Sequence, residues 1–254
     1  MKFSGERLVP GSACLETMIA HELARLSHFR SWFEGRRILD AGCGAGYATA
    51  FVCENGAYMA VGVDLSEESI CYAKTHYSRD SLVYGVMDCM RMGFVAECFD
   101  FVYSLDVIEH LADTEAYLSE IARVLRPGGV FLLSTPNRLV SSSKRSAPSW
   151  PFHVREFSAS ELREALASHF EKVTLWGEHV PVYEDHPVRR ITGSRLSHIK
   201  HYLPARLRVG IASTIKWLIK PTLTPEDIVL TEDIESAPIL VGLCQKEPGL
   251  SVLW

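Results

Sequence analysis

The chain has 254 residues, 47% of them apolar and 22% charged, with 17 Gly and 12 Pro. That is enough chain for a full core in one large domain or two small ones, and the composition excludes disordered, collagen-like and coiled-coil classes. The net charge of −5 conceals an asymmetry: residues 186–225 carry eight Lys/Arg and no acid, leaving 18 basic against 31 acidic residues elsewhere, a net −13.

Taken in order, the chain opens with MKFSGERLVPGSA, which lacks an apolar signal core, and no later stretch approaches a membrane span. A cytoplasmic protein is expected. Residues 15–33 place Met18, Leu23, Leu26 and Phe29 near helical spacing. Strands are predicted at 36–41, 58–65, 82–87, 99–105 and 130–134, with helices at 47–54, 66–77 and 113–125 between them. Ser66 is placed as an N-cap with Glu67 and Glu68 behind it, and Pro127-Gly128-Gly129 as a helix stop. A helix at 160–170 and strands at 172–176 and 239–244 complete an α/β, Rossmann-like, doubly wound parallel sheet. The expected layout is an N-terminal lid or helix over 1–35, a core over 36–180 and 234–247, and a helical basic insertion over 181–233. The seven cysteines include no C-x-x-C pair, so neither a disulfide framework nor a structural zinc site is expected.

The string ILDAGCGAGY is the most informative. Asp40 ends a strand, Gly42-x-Gly44-x-Gly46 turns, and a helix begins, an arrangement that brings backbone N–H groups close to a ligand. Asp64 ends the next strand 18 residues past Gly46, where an acid can accept from both ribose hydroxyls. A dinucleotide fingerprint requires Gly at 47, where Tyr47 stands. A carboxylate beside the turn also suits a cationic ammonium and sulfonium better than a pyrophosphate.

Residues 36–137, and more weakly on to about 179, resemble the class I S-adenosylmethionine-dependent methyltransferases. The resemblance rests on ILDAGCGAGY, VGVDLS, VMDCMRMGF and FDFVYSLDVIEHL followed by LRPGGVFLLSTPN. It implies a seven-stranded sheet whose last strand is antiparallel, S-adenosyl-L-methionine as cofactor and S-adenosyl-L-homocysteine as product. It further implies that Asp40, Gly42, Cys43, Gly44 and Gly46 hold the amino-acid end of the cofactor and Asp64 the ribose. Leu65 would lie against the adenine, Asp88, followed by Cys89, would accept from its amino group, and Ser104 would face the methionine moiety.

Methyl transfer to a hydroxyl gains from a general base, and His110 in SLDVIEHL is the best placed of ten histidines. Two other readings stand beside that one: a structural role bonding its loop, and a metal set of Asp106, Glu109 and His110, as in some members of the quinone-methylating subset. No metal is the expectation. His153 in PFHVREFS is assigned to the acceptor together with Arg155 and Glu156, against a role as loop anchor; Glu6 and Arg7 resemble a lid motif of the same relatives.

The expected acceptor is a small molecule or sugar methylated through oxygen. N-methylation is the rival, but no Asn/Asp-Pro-Pro-Tyr site follows strand four; a non-catalytic scaffold is the other, and it has no need of the acids. A helix over 204–220 in the basic insertion is read as a cap over the acceptor. An anionic acceptor, peripheral contact with an anionic membrane, or a homodimer contact are its other readings, and the −13 body argues against nucleic acid.

Overall fold

The computed structural model describes residues 13–142, 148, 150–180 and 227–249. The elements in chain order are α1 (Ala13–His28), β1 (Arg37–Ala41), α2 (Tyr47–Glu54), β2 (Met59–Asp64), α3 (Glu67–His76), β3 (Leu82–Val86), β4 (Phe99–Leu105), α4 (Thr114–Val124), β5 (Leu125–Pro136), α5 (Arg138–Ser141), α6 (Ala159–Ala167), β6 (Lys172–His179), β7 (Val229–Thr231) and β8 (Ile239–Gln245). Short 3-10 turns occupy Arg30–Trp32 and Ile108–His110. The expected helix at 204–220 and the lid residues Glu6 and Arg7 lie outside the described residues.

The strands form one sheet in the order β3-β2-β1-β4-β5-β8-β6-β7. Strands β1 to β5 pair in parallel, and β8 runs antiparallel between β5 and β6. The seven expected strands are thus present with the last one reversed. An eighth, β7, adds three residues antiparallel to β6. It falls inside the segment expected to be insertion, so the sheet resumes earlier than the sequence indicated.

Strand β4 shows why both faces are covered. Its run FDFVYSL is apolar almost throughout, the pattern of a strand buried on two sides. Phe101 and Tyr103 pack toward Leu26, Phe29 and Phe33 and toward Ala48 and Val52 of α2. Val102 packs on the other face, which α4 and α6 cover with Tyr117, Leu118, Ile121, Leu162 and Leu166.

The helix starts follow local chemistry. Ser66 Oγ accepts from Ser69 N and Asp113 Oδ1 from Ala116 N. Ser158 and Glu161 form a reciprocal capping box at α6. Ser158→Ala is expected to cost about 1 kcal/mol, read as a lower midpoint in denaturant. Pro127-Gly128-Gly129 does not simply end a helix. Strand β5 begins at Leu125, opposite Phe99, and the register shifts before Phe101 pairs with Val130. Gly128, at φ +72°, supplies the left-handed residue of that irregularity. Among the described residues no helix is long and apolar enough to cross a membrane.

Candidate active site

Sheet order reverses between β1 and β4, and the crevice outside their carboxyl ends is where ligands bind in such sheets. The Gly42–Gly46 turn lies there. Gly42 N and Cys43 N donate to the Val63 carbonyl, and Gly44 N donates to Asp64 Oδ2 at 3.0 Å. Asp64 Oδ1 accepts from Ser66 N at 2.8 Å, so one carboxylate ties the turn to the start of α3. Two of the glycines differ in what they need. A Cβ on Gly46 would lie 2.6 Å from Ala73 Cβ, so the protein's own packing demands glycine. Gly44, at φ +50°, has nothing within 4 Å in that direction, the open space a closely approaching ligand requires.

Beneath the turn, Asp40 is buried, and its Oδ2 accepts from Thr49 at 2.6 Å and Tyr103 at 2.8 Å. Burial pushes its carboxyl up to about 7, against the pull of those two hydroxyls and with the push of Asp64. Asp40 therefore acts from below the turn, clamping α2 and β4 to β1. Thr49 and Tyr103 carry no sequence signal beyond burial. Leu65, just after Asp64, is 68% exposed, as an adenine platform would be. Asp88 is half-buried; its Oδ1 accepts from Met90 N in a tight turn.

A second group of polar side chains, the one expected at the acceptor, lies past β4 and β5. Glu109 is 1% exposed; its Oε2 accepts from Thr135 Oγ1 at 2.9 Å, while Oε1 has no hydrogen-bond partner. Burial, reinforced by the charge of Asp106, pushes the Glu109 carboxyl up to about 8. Its carbonyl accepts from Val154 N and Arg155 N, which brings the 150–157 segment against the Ile108–His110 turn. The His110 and His153 rings meet edge to face with centroids 5.0 Å apart. His110 Nδ1 lies 3.0 Å from the Phe152 carbonyl, and His153 Nδ1 2.8 Å from Glu156 Oε1. Glu156 is buried. Burial alone would raise its carboxyl, but hydrogen bonds from Ser141, Ser142 and His153 outweigh it and hold the group below its usual value.

Residues 39–133 match the family model described as a methyltransferase domain. A "Probable S-adenosylmethionine-dependent methyltransferase" of Mycolicibacterium smegmatis is 38% identical over 169 residues, 65% of this chain and 63% of that protein. A ubiquinone biosynthesis O-methyltransferase of Rhizobium etli is 37% identical over 112 residues, 43% of this chain and 45% of that protein. The chain thus spans less than two thirds of these curated relatives. Among solved structures, a methyltransferase of Thermotoga maritima superposes with a TM-score of 0.61 at 18% identity, covering 92% of each chain. Haemonchus contortus phosphoethanolamine N-methyltransferase 2, solved with S-adenosyl-L-methionine, superposes at 0.59 with 21% identity, over 89% of this chain and 52% of that one. The chain carries a class I S-adenosylmethionine-dependent methyltransferase domain.

The crevice of this methyltransferase domain fits its cofactor: an open backbone approach at Gly44, the Asp64 carboxylate beside it, and the exposed Leu65. Three further residues expected at the cofactor are buried. Ser104 is buried and its Oγ donates to the Ala41 carbonyl at 2.5 Å, which fastens β4 to β1. Cys43 and Cys89 are buried thiols whose ionisation is pushed up by burial and by the nearby Asp40 and Asp64 carboxylates.

The methyltransferase domain also holds a cluster that the sequence did not reveal. Arg25 of α1 is 3% exposed and donates through Nε to Glu178 on β6. Its Nη1 donates to Asp106 Oδ2 at 2.9 Å and Ser134 Oγ at 2.7 Å. Asp106 sits at φ +54° right after β4. Glu22, one turn earlier on α1, accepts from Tyr47 Oη, and burial with the charge of Asp106 pushes it up to about 8. Charged residues on an amphipathic helix ordinarily face solvent, and nothing local marks these as facing inward.

Proposed function

We infer that this chain transfers a methyl group to a hydroxyl oxygen of a small molecule or sugar, with His110 and His153 acting at the acceptor. The observation that carries this reading is the pair of imidazoles beside the crevice, each held through Nδ1. A carbonyl can only accept, so His110 Nδ1 donates to Phe152 and Nε2 is the basic nitrogen of the neutral ring. The Glu156 carboxylate imposes the same arrangement on His153. Each ring is thus supported through Nδ1, which leaves Nε2 as its basic nitrogen.

S-adenosyl-L-methionine, when bound, supplies a methyl group on a sulfonium whose thioether leaves uncharged. The protein's part is to align the acceptor and manage its hydroxyl proton. The oxygen assignment is further supported by the likeness to the ubiquinone biosynthesis O-methyltransferase of Rhizobium etli, 37% identical over 112 residues.

His110→Ala is expected to lower turnover at least about tenfold while leaving S-adenosyl-L-homocysteine affinity within about twofold. Labelled methyl transfer to a panel of catechols, phenols and sugars reads the first and calorimetry the second. A collapse of cofactor affinity in the variant would mark His110 as structural, and methylation confined to amines would overturn the oxygen assignment.

A further inference from the structure

We propose that Glu22 of α1 is a cofactor-binding residue, whose carboxylate meets the α-ammonium of S-adenosyl-L-methionine beside the start of α2. The proposal concerns the cofactor alone and is independent of which acceptor atom is methylated. Helix packing places the residue. Leu26, four positions on, is buried with Phe101, Tyr103 and Ala48, so Glu22 lies on the face that α1 turns toward β4 and α2. There its Oε2 accepts from the hydroxyl of Tyr47, the residue that follows Gly46 and opens α2. Glu22 is half-buried, and its Oε1 has no hydrogen-bond partner among the described residues. Tyr47 stands where a dinucleotide fingerprint needs glycine, so the position that speaks against a pyrophosphate also draws in an acid.

Charge at this end of the crevice is unbalanced. Asp40 acts on Glu22 from β1, Asp106 from the residue after β4, and Arg25 from the next turn of α1. Among the described residues Arg25 is the only guanidinium or ammonium paired with any of these acids. It is shared with Glu178 of β6, which also pairs with His21. Protons relieve the excess. Burial and then Asp106 push the Glu22 carboxyl up to about 8 against the pull of Arg25 and Tyr47, and Asp40 adds to the push. Asp40 itself is pushed up to about 7, chiefly by burial.

A ligand carrying a fixed cation relieves the same excess. The open approach at Gly44 and the Asp64 carboxylate mark the crevice as the cofactor's place, independently of these acids. Positive charge sits only at the cofactor's methionine end, as an ammonium and a sulfonium. The ammonium has three N–H donors for the vacant oxygen of Glu22, whereas a sulfonium has none. Glu22 then binds as the carboxylate. The proton it holds at neutral pH leaves for solvent as the cofactor enters. Affinity therefore rises with pH until Glu22 is ionised in the free protein as well.

The test uses the full chain and calorimetry without acceptor. Between pH 6.5 and 7.5 the wild type is expected to gain about tenfold in affinity for S-adenosyl-L-homocysteine, which keeps the ammonium. Heats in buffers of different ionisation enthalpy should show close to one proton released. Glu22→Gln keeps the shape and an oxygen for Tyr47, and should gain no more than about threefold over that range, the share left to Asp40. At pH 7.5 it should bind S-adenosyl-L-methionine and S-adenosyl-L-homocysteine about tenfold more weakly than wild type. 5′-Methylthioadenosine, which lacks the amino-acid end, should bind both proteins within about twofold. Should Glu22→Gln fail to fold by circular dichroism, the wild type carries the test, since S-adenosyl-L-homocysteine should expel the proton and 5′-methylthioadenosine should not. Equal pH dependence in wild type and Glu22→Gln, equal proton release by all three ligands, or a loss confined to S-adenosyl-L-methionine would overturn the assignment. None of these outcomes bears on O-methylation, and failed O-methylation would leave the Glu22 result standing.

Discussion

Replacing Arg25 with alanine is expected to destabilise the protein by about 3–5 kcal/mol at pH 7, read from chemical unfolding. Arg25 is 3% exposed and serves Glu178, Asp106 and Ser134 together, joining α1 to the carboxyl ends of β4 and β5 and to β6. The cost lies less in the lost attraction than in what remains, a buried Glu178 carboxylate whose one other side-chain partner among the described residues is His21. The pH dependence has a definite sign. Burial works to raise the Glu178 carboxyl, but Arg25 and then His21 outweigh it and hold it below the usual value. A group depressed on folding contributes stability above its unfolded value of ~4.3, and that stability is lost as pH falls through the folded value. Without Arg25 the burial effect dominates and Glu178 folds more readily protonated. The gap between wild type and variant should therefore be widest at neutral pH and narrow below about pH 4. A gap of equal size at pH 4 and pH 7 would show that lost packing, not charge, is what Arg25 supplies.

Asp64→Ala is expected to weaken S-adenosyl-L-homocysteine binding by ~10²–10⁴-fold in calorimetry, because each hydrogen bond to a carboxylate contributes ~1.5–3 kcal/mol and a ribose offers two hydroxyls. A carboxylate has about four acceptor sites, so holding Gly44 N and Ser66 N is compatible with that role. The same two amides make Asp64 part of the turn's architecture. Asp64→Asn separates the functions: it keeps the shape and part of the amide bonding but loses the charge. A large affinity loss in Asp64→Asn with an unchanged melting temperature would assign the effect to the ribose. Equal binding by wild type and Asp64→Ala would remove Asp64 from the cofactor site.

The layered fold was legible because its determinants are local. Strand β4 is apolar on both faces within seven residues, and α2 and β4 end where the sequence placed them. The caps at Ser66 and Asp113 act over three residues. The Gly42–Gly46 turn, with Asp64 at the next strand end, is likewise a short-range signature, and the structure joins them through one hydrogen bond. Where local reading failed, a second element had intervened. The Pro127–Gly129 stretch reads as a helix stop until the pairing of Leu125 with Phe99 makes it a strand irregularity. Strand β7 is three residues long, too short for a periodicity, and exists because β6 offers it an edge.

The sequence by itself determined the sheet class, the position of the cofactor turn and its acids, and the two histidines worth watching. Tertiary structure alone decided what those side chains do. It put Ser104 on the Ala41 carbonyl, Arg25 between Asp106 and Glu178, and Glu109, His110 and His153 in one cluster. Helix and strand patterns are set by periodicities of two to four residues, so they are written in any short window. An ion pair or ligand set depends on where distant segments close on one another, as when Val154 N and Arg155 N reach the Glu109 carbonyl and carry His153 to His110. No window of the sequence contains that closure, because the packing of the whole sheet fixes it.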